Sequence, residues 1–170
     1  QIAANGTAVI IVEQSVNLAL TIAERAYFME KGKIRFSGAT KDLLERPDLL
    51  RSVFLSKVET APIQRAHTSG PASEVTLKAE ELTRRFGGIQ AVASVSFDVK
   101  EKEIVGIMGP NGAGKTTLFD LLSGFVPQDS GSIRLANRDI SESSPADRAR
   151  FGLGRSFQDA RLFPSLTVAE

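Results

Sequence analysis

The sequence predicts an α/β fold with a mainly parallel core sheet and an antiparallel β subdomain. Two short runs, Ala8-Val9-Ile10-Ile11-Val12 and Ile104-Val105-Gly106-Ile107-Met108, carry no polar side chain, which suits strands covered on both faces. A glycine-rich loop at 109–116 follows the second run directly and leads into helical spacing. Between positions 75 and 99, Val75, Leu77, Val92, Val95, Phe97 and Val99 alternate with small or polar residues, as in half-exposed antiparallel strands.

In chain order, the run at 8–12 is a buried parallel strand, and Val16, Ala19, Leu20 and Ala23 with Leu18 and Ile22 give the next segment a helical apolar side ending near Arg25. Residues 26–30 and 33–37 flank Lys31-Gly32, a glycine turn that predicts a hairpin. Thr40 is placed to cap a helix carrying Leu43 and Leu44, which Pro47 interrupts before Leu49, Leu50, Val53, Phe54 and Leu55. From 58 to 74 the chain mixes Pro62, His67, Ser69, Gly70, Pro71 and Ser73 with little apolar periodicity, a linker composition.

Past the β-rich stretch and the loop, the helix starting near Thr116 carries Leu118, Phe119, Leu121 and Leu122 and stops at Gly124. Residues 127–131 turn into a strand at Ser132-Ile133-Arg134-Leu135. Ser144 and Pro145 read as cap and first position of a short helix through Arg150, and 151–157 as extended chain.

Bulk properties narrow the functional classes. Twenty-one Lys and Arg nearly cancel twenty Asp and Glu, so a net charge of +1 supplies no field for nucleic acid, and no nucleic-acid partner is expected. The absence of cysteine removes disulfides, thiolate metal sites and cysteine nucleophiles, and fits a reducing compartment. No apolar run approaches the roughly 20 residues that cross a bilayer, so membrane association is expected only through a partner. The first residue is Gln1, and the sequence reads as a part of something longer.

The chemistry concentrates in Gly109-Pro110-Asn111-Gly112-Ala113-Gly114-Lys115-Thr116, followed by Thr117. Binding a phosphate chain takes several donors converging without side chains in the way. Glycines let the backbone curl around the phosphates and present N–H groups at the positive end of the following helix. Lys115 adds a point charge toward the β and γ phosphates, and the Thr116 hydroxyl can ligate magnesium. Strand, glycine loop and helix in that order is the context this phosphate-binding loop, or P-loop, requires, so ATP and Mg2+ are the expected ligands.

With these motifs in place, residues 75–170 resemble the first half of the ATPase subunit of an ABC importer. The stretch Leu82-Thr83-Arg84-Arg85-Phe86-Gly87-Gly88, the P-loop, Ser130-Gly131 and Arg155-Ser156-Phe157-Gln158 through Arg161-Leu162-Phe163-Pro164 resemble the branched-chain amino acid subfamily. Residues 1–57 resemble the last part of a companion ATPase domain, in Ile11-Val12-Glu13-Gln14, Ala26-Tyr27-Phe28-Met29-Glu30 and Gly32-Lys33-Ile34. The implied order is the tail of one domain (1–57), a linker (58–74) and the head of a second (75–170).

The resemblance implies a P-loop NTPase fold of the ABC ATPase type, here as partial domains. It implies that adenine stacks on Phe86 with Val92 near the ring. It makes Gln158 the glutamine that touches magnesium or the attacking water. Gln14 stands where most such ATPases carry a histidine facing the γ-phosphate; a glutamine there hydrogen-bonds but gains no charge near neutral pH. It also implies membrane-spanning permease subunits and a second ABC ATPase domain as partners, at the cytoplasmic face of the membrane, with amino acids as cargo. A soluble, non-transport ABC ATPase is the alternative. No apolar strand ends in an Asp-Glu pair and no Leu-Ser-Gly-Gly-Gln-like stretch occurs, so the chain is expected to bind ATP without turning it over.

Two arrangements are open for the first segment. Residues 8–12 can lie parallel beside 104–108 and bring Gln14 toward Lys115, or the segment can form a separate lobe. Burial of a wholly apolar run, worth about 1.5 to 3 kcal/mol per large side chain, favours pairing.

Overall fold

The computed structural model describes residues 7–45 and 74–156. Among the described residues, eight strands form two four-stranded sheets. The first contains β1 (Val9–Glu13), β2 (Arg25–Glu30), β3 (Lys33–Ala39) and β6 (Ile104–Met108), in the order β1-β6-β2-β3. The second contains β4 (Val75–Phe86), β5 (Ile89–Lys100), β7 (Ser130–Leu135) and β8 (Arg138–Asp139), in the order β5-β4-β7-β8.

The first segment does not form a lobe of its own. β1 runs parallel to β6, with Val9 opposite Ile104 and Glu13 opposite Met108. β2 runs parallel along the other edge of β6, with Arg25 opposite Val105 and Phe28 opposite Met108. Residues from both described segments therefore share one mainly parallel sheet, completed by the antiparallel β2–β3 hairpin. The hairpin turn is Lys31-Gly32, both with positive φ (48° and 77°), as the twist of a tight two-residue turn demands.

Helices and the second sheet cover the two faces of the first. Along β2, Ala26 and Phe28 face α1 (Val16–Ile22) and α2 (Thr40–Leu44), in a cluster with Val16, Ala19, Leu20, Leu43 and Met108. Tyr27 and Met29 face the opposite way and join Val105 and Ile107 in the main core. The same core holds Leu118, Leu121 and Leu122 of α3 (Lys115–Ser123) with Leu82, Val92, Val95 and Val99 of the second sheet. Gly106 lets α1 lie close on the sheet: a Cβ there would meet the Ala23 methyl at 3.2 Å.

Several sequence expectations hold: Gly124 ends α3 with φ 77°, and Ser144 caps α4 (Pro145–Arg150), accepting a hydrogen bond from the Asp147 N–H. Ser15, not singled out in the sequence, caps α1. Other expectations need correcting. β1 is not a strand buried on both faces: it lies at the sheet edge and all five of its residues are half-buried, because only β6 flanks it among the described residues. Thr40 does not cap its helix, which starts at Thr40 itself; its hydroxyl donates instead to the carbonyls of Ala23 (2.7 Å) and Glu24 (3.1 Å), tying α2 to the end of α1. Phe151 and Gly152 are not extended, because Phe151 closes α4 in helical geometry and Leu153 N–H bonds back to the Arg148 carbonyl. The helix predicted past Pro47, the linker, and the sequence after Ser156 lie outside the described residues.

Two arginines tie the parts together. Arg148, only 2 % exposed, donates to the carbonyls of Leu121 (2.6 Å), Leu122 (2.8 Å), Ser141 (2.8 Å) and Ser143 (3.0 Å), satisfying the open carbonyls at the C-terminal end of α3. Arg25, from the first segment, forks onto Glu103 (2.7 and 3.0 Å) and reaches Asp98 (3.1 Å) and the Tyr27 hydroxyl (2.8 Å). Burial opposes its charge, but the two carboxylates outweigh that and hold its pKa above the usual arginine value.

Candidate functional site

The loop between β6 and α3 is built by three different constraints on its glycines. A side chain at Gly109 would run into the Met29 carbonyl oxygen, and one at Gly114 into the Ala91 carbonyl oxygen, so the loop is pressed against backbone from β2 and β5. Gly112 has φ 76° and nothing within 4 Å of the position a Cβ would take. The packed glycines hold the loop, and the open one leaves its outer surface clear for a ligand.

The β2–β3 turn forms part of the loop's support. Gly32 N–H donates to the Ala113 carbonyl (2.9 Å), and the Gly32 carbonyl accepts from Ala93 N–H (2.8 Å). The turn thus bridges the loop and β5, and the first segment contributes directly to the shape of the site.

Lys115 begins α3 and is only 8 % exposed. Its ammonium donates to the carbonyls of Gly109 (2.6 Å) and Pro110 (2.9 Å), folding back across the loop. Burial lowers its pKa from the ordinary lysine value. Thr116 and Thr117 follow in the first helical turn, with Thr116 exposed.

A cavity of about 700 Å³ opens over this loop. Asn111, Gly112, Ala113, Gly114, Lys115, Thr116 and Thr117 form one wall, Glu13 and Gln14 from the end of β1 another, and Lys31 with Ile89, Gln90 and Ala91 a third. Gln14 and Lys115 therefore face one space, as pairing of β1 with β6 requires. Gly109 and Pro110, directly after β6, are not among its lining residues.

The remaining expected site residues lie elsewhere. Phe86 is 45 % exposed at the end of β4, outside the cavity lining, with the Arg84 guanidinium 4.8 Å from its ring centre. Val92 is 0 % exposed and packs in the core, so its side chain presents no surface to the cavity; its strand neighbours Ile89, Gln90 and Ala91 do. Gln158 lies outside the described residues. Sequence reasoning missed Lys31, Glu13 and Ile89 as cavity residues; the paired-strand arrangement, which puts the ends of β1 and β2 beside the loop, was the signal that could have found the first two. Among the described residues no group of three or more His, Cys, Asp or Glu could hold a metal ion.

A parallel strand, a glycine loop with an open outer face, a lysine folded over it and a helix start with two threonines form an arrangement able to cradle a phosphate chain. Residues 92–170 match the ABC transporter family. Over 98 residues the chain is 45 % identical to the branched-chain amino acid transport ATP-binding protein LivG of Salmonella typhimurium and to BraF of Pseudomonas aeruginosa, and 42 % identical to LivG of Escherichia coli. Each of these matches covers 58 % of this chain and 38 % of the relative, so the chain spans well under half of the relatives' length. A solved structure of an ATP-binding cassette of an ABC transporter is similar at 34 % identity and a TM-score of 0.50, covering 51 % of this chain and 34 % of that one. The mixed parallel and antiparallel sheets are those of an α/β ABC ATPase fold.

Proposed function

We propose that this chain is the ATP-binding part of an ABC transporter ATPase. In this reading residues 1–57 are the C-terminal part of one ATPase domain, 58–74 a linker, and 75–170 the N-terminal part of a second. The observation that carries the reading is the loop itself: Gly112 open to the cavity, Lys115 buried across it, and the N-terminal turn of α3 directed at the same space.

Chemically, the backbone N–H groups of Gly112, Gly114, Lys115, Thr116 and Thr117 donate to the phosphate chain at the positive end of α3. The Lys115 ammonium exchanges its two carbonyl partners for phosphate oxygens, which bind a cation more strongly. Magnesium fits the donor set of a threonine hydroxyl, a glutamine and phosphate oxygens, so Thr116 and Gln158 would hold it; when bound, it neutralises phosphate charge. Gln14, after the end of β1, offers a hydrogen bond into the same cavity. Phe86 gives adenine an aromatic face, while Val92 anchors β5 in the core and so keeps Ile89 and Gln90 at the cavity.

The names of the relatives extend the reading to an importer of branched-chain or related amino acids, working with membrane-spanning permease subunits and a second ABC ATPase domain at the cytoplasmic face of the membrane. No helix among the described residues is long and apolar enough to cross a membrane, which suits an ATPase held there by permeases. Calorimetric titration of the chain with Mg-ATP tests the binding claim. The wild type should bind, and Lys115→Ala should weaken binding at least about 10-fold, the scale of one charge-assisted contact. Equal affinity of the two, with folding checked by circular dichroism, would contradict the proposal.

A further inference from the structure

We propose that Lys31, at the tip of the β2–β3 hairpin, is a second cation for the nucleotide's phosphate chain, acting with Lys115 in the same cavity. This rests on the nucleotide-binding reading above and adds a residue that the P-loop pattern does not contain.

The placement is fixed by backbone, not by chance contact of a long side chain. Lys31 has φ 48°, a turn conformation that an L-residue other than glycine rarely adopts, and it precedes Gly32, which is hydrogen-bonded to both the loop and β5. A Cβ at Gly114 would lie 3.5 Å from the Gly32 Cα, so the hairpin tip sits directly against the glycine that starts α3. From there Lys31 lines the same cavity as Thr116 and Thr117.

Electrostatics supports a ligand role over a structural one. Among the hairpin charges Arg35 pairs with Glu30 at 3.0 Å, whereas the Lys31 and Lys33 side chains are exposed with no ion pair among the described residues, and of these two only Lys31 lines the cavity. The carboxylate sharing the cavity is Glu13, on the β1 wall. A polyanion entering the cavity meets Lys115 from the loop and Lys31 from the hairpin tip beside it. An ammonium on a flexible stem is suited to this, since it can follow the phosphates without a fixed fork geometry.

The experiment titrates the 170-residue chain with Mg-ATP, Mg-ADP and adenosine, in the wild type, Lys31→Gln and Lys31→Arg, at low and moderate salt. Lys31→Gln should bind both phosphorylated ligands roughly 3- to 10-fold more weakly, with a shallower salt dependence, and adenosine unchanged. Lys31→Arg should restore most of the affinity. If wild-type and Lys31→Gln chains bind Mg-ATP equally and with equal salt dependence, the inference is overturned while the nucleotide reading stands. A folded wild-type chain that binds neither nucleotide overturns both.

Discussion

Substituting the two loop glycines that differ in surroundings, Gly112 and Gly114, should separate folding from binding. Both have positive φ, 76° and 98°, so alanine at either position costs roughly 1 to 2 kcal/mol of backbone strain. Only at Gly114 does the new methyl collide with the Ala91 carbonyl oxygen and crowd Gly32. Because the obstacle is backbone in β5, the strand or the helix start must shift, adding an overpacking cost of about 1 to 3 kcal/mol. Gly114→Ala should therefore lose about 2 to 5 kcal/mol, a large part of the 5 to 15 kcal/mol that holds a typical domain together. Gly112→Ala should lose only the strain term, yet its methyl would stand where the phosphates enter. Urea denaturation followed by circular dichroism gives the stabilities, and Mg-ATP titration gives the binding. Equal destabilisation by the two substitutions, or full binding by a stable Gly112→Ala chain, would refute the division of the loop into a packed side and an open side.

Other outcomes follow from the contacts between the two segments. Arg25→Met leaves Glu103, whose side chain is 11 % exposed, without its fork partner. Complete burial of such a broken pair costs about 3 to 5 kcal/mol, and partial exposure reduces this to roughly 2 to 3 kcal/mol in urea denaturation; a loss near zero would show that the clamp does not join the segments. Tyr27 is the only tyrosine, and the chain has no tryptophan, so ultraviolet absorbance of tyrosinate reports this one group. Burial, partly offset by the charge of Arg25, pushes its pKa up to about 12. The folded chain keeps the proton that the unfolded chain releases near pH 10, so this stabilising contribution is complete below about pH 10 and is lost as pH rises toward 12. A folded-state absorbance midpoint near 10 would contradict the buried placement. Lacking an Asp-Glu strand end and a Leu-Ser-Gly-Gly-Gln-like stretch, the chain should show no ATP hydrolysis above background; a steady rate surviving repeated purification would show that other residues supply those roles.

Much of this architecture was legible because its signals are local. The runs at 8–12 and 104–108, the Lys31-Gly32 turn and the glycine loop each announce their conformation within a few residues. Pairing of β1 with β6 followed from the apolar character of its run, although at the sheet edge that run is only half-buried. What was not legible depends on residues far apart. Arg148 reads as one more charge on a short helix until α3 presents its open carbonyls, 26 and 27 positions earlier. Arg25 meets partners 73 and 78 positions away. The irregularities in β4 and β5, where Glu81 and Ser94 have positive φ, leave no mark in the alternation of apolar residues. Val92 fell within an apolar alternation that only the second sheet's packing assigns to the core, and Lys31 reached the site because its turn, not its side chain, is fixed there.

The central claim is that the loop at 109–117 is a phosphate site shaped by both segments of the chain. Backbone amide chemical shifts of the isotope-labelled chain, recorded with and without Mg-ATP, test it most directly. The account predicts the largest shifts at Gly112, Gly114, Lys115 and Thr116, with further changes at Gln14 and at Lys31 and Gly32 in the first segment. Shifts absent from the loop, or confined to residues outside the cavity while the loop amides stay unmoved, would contradict it.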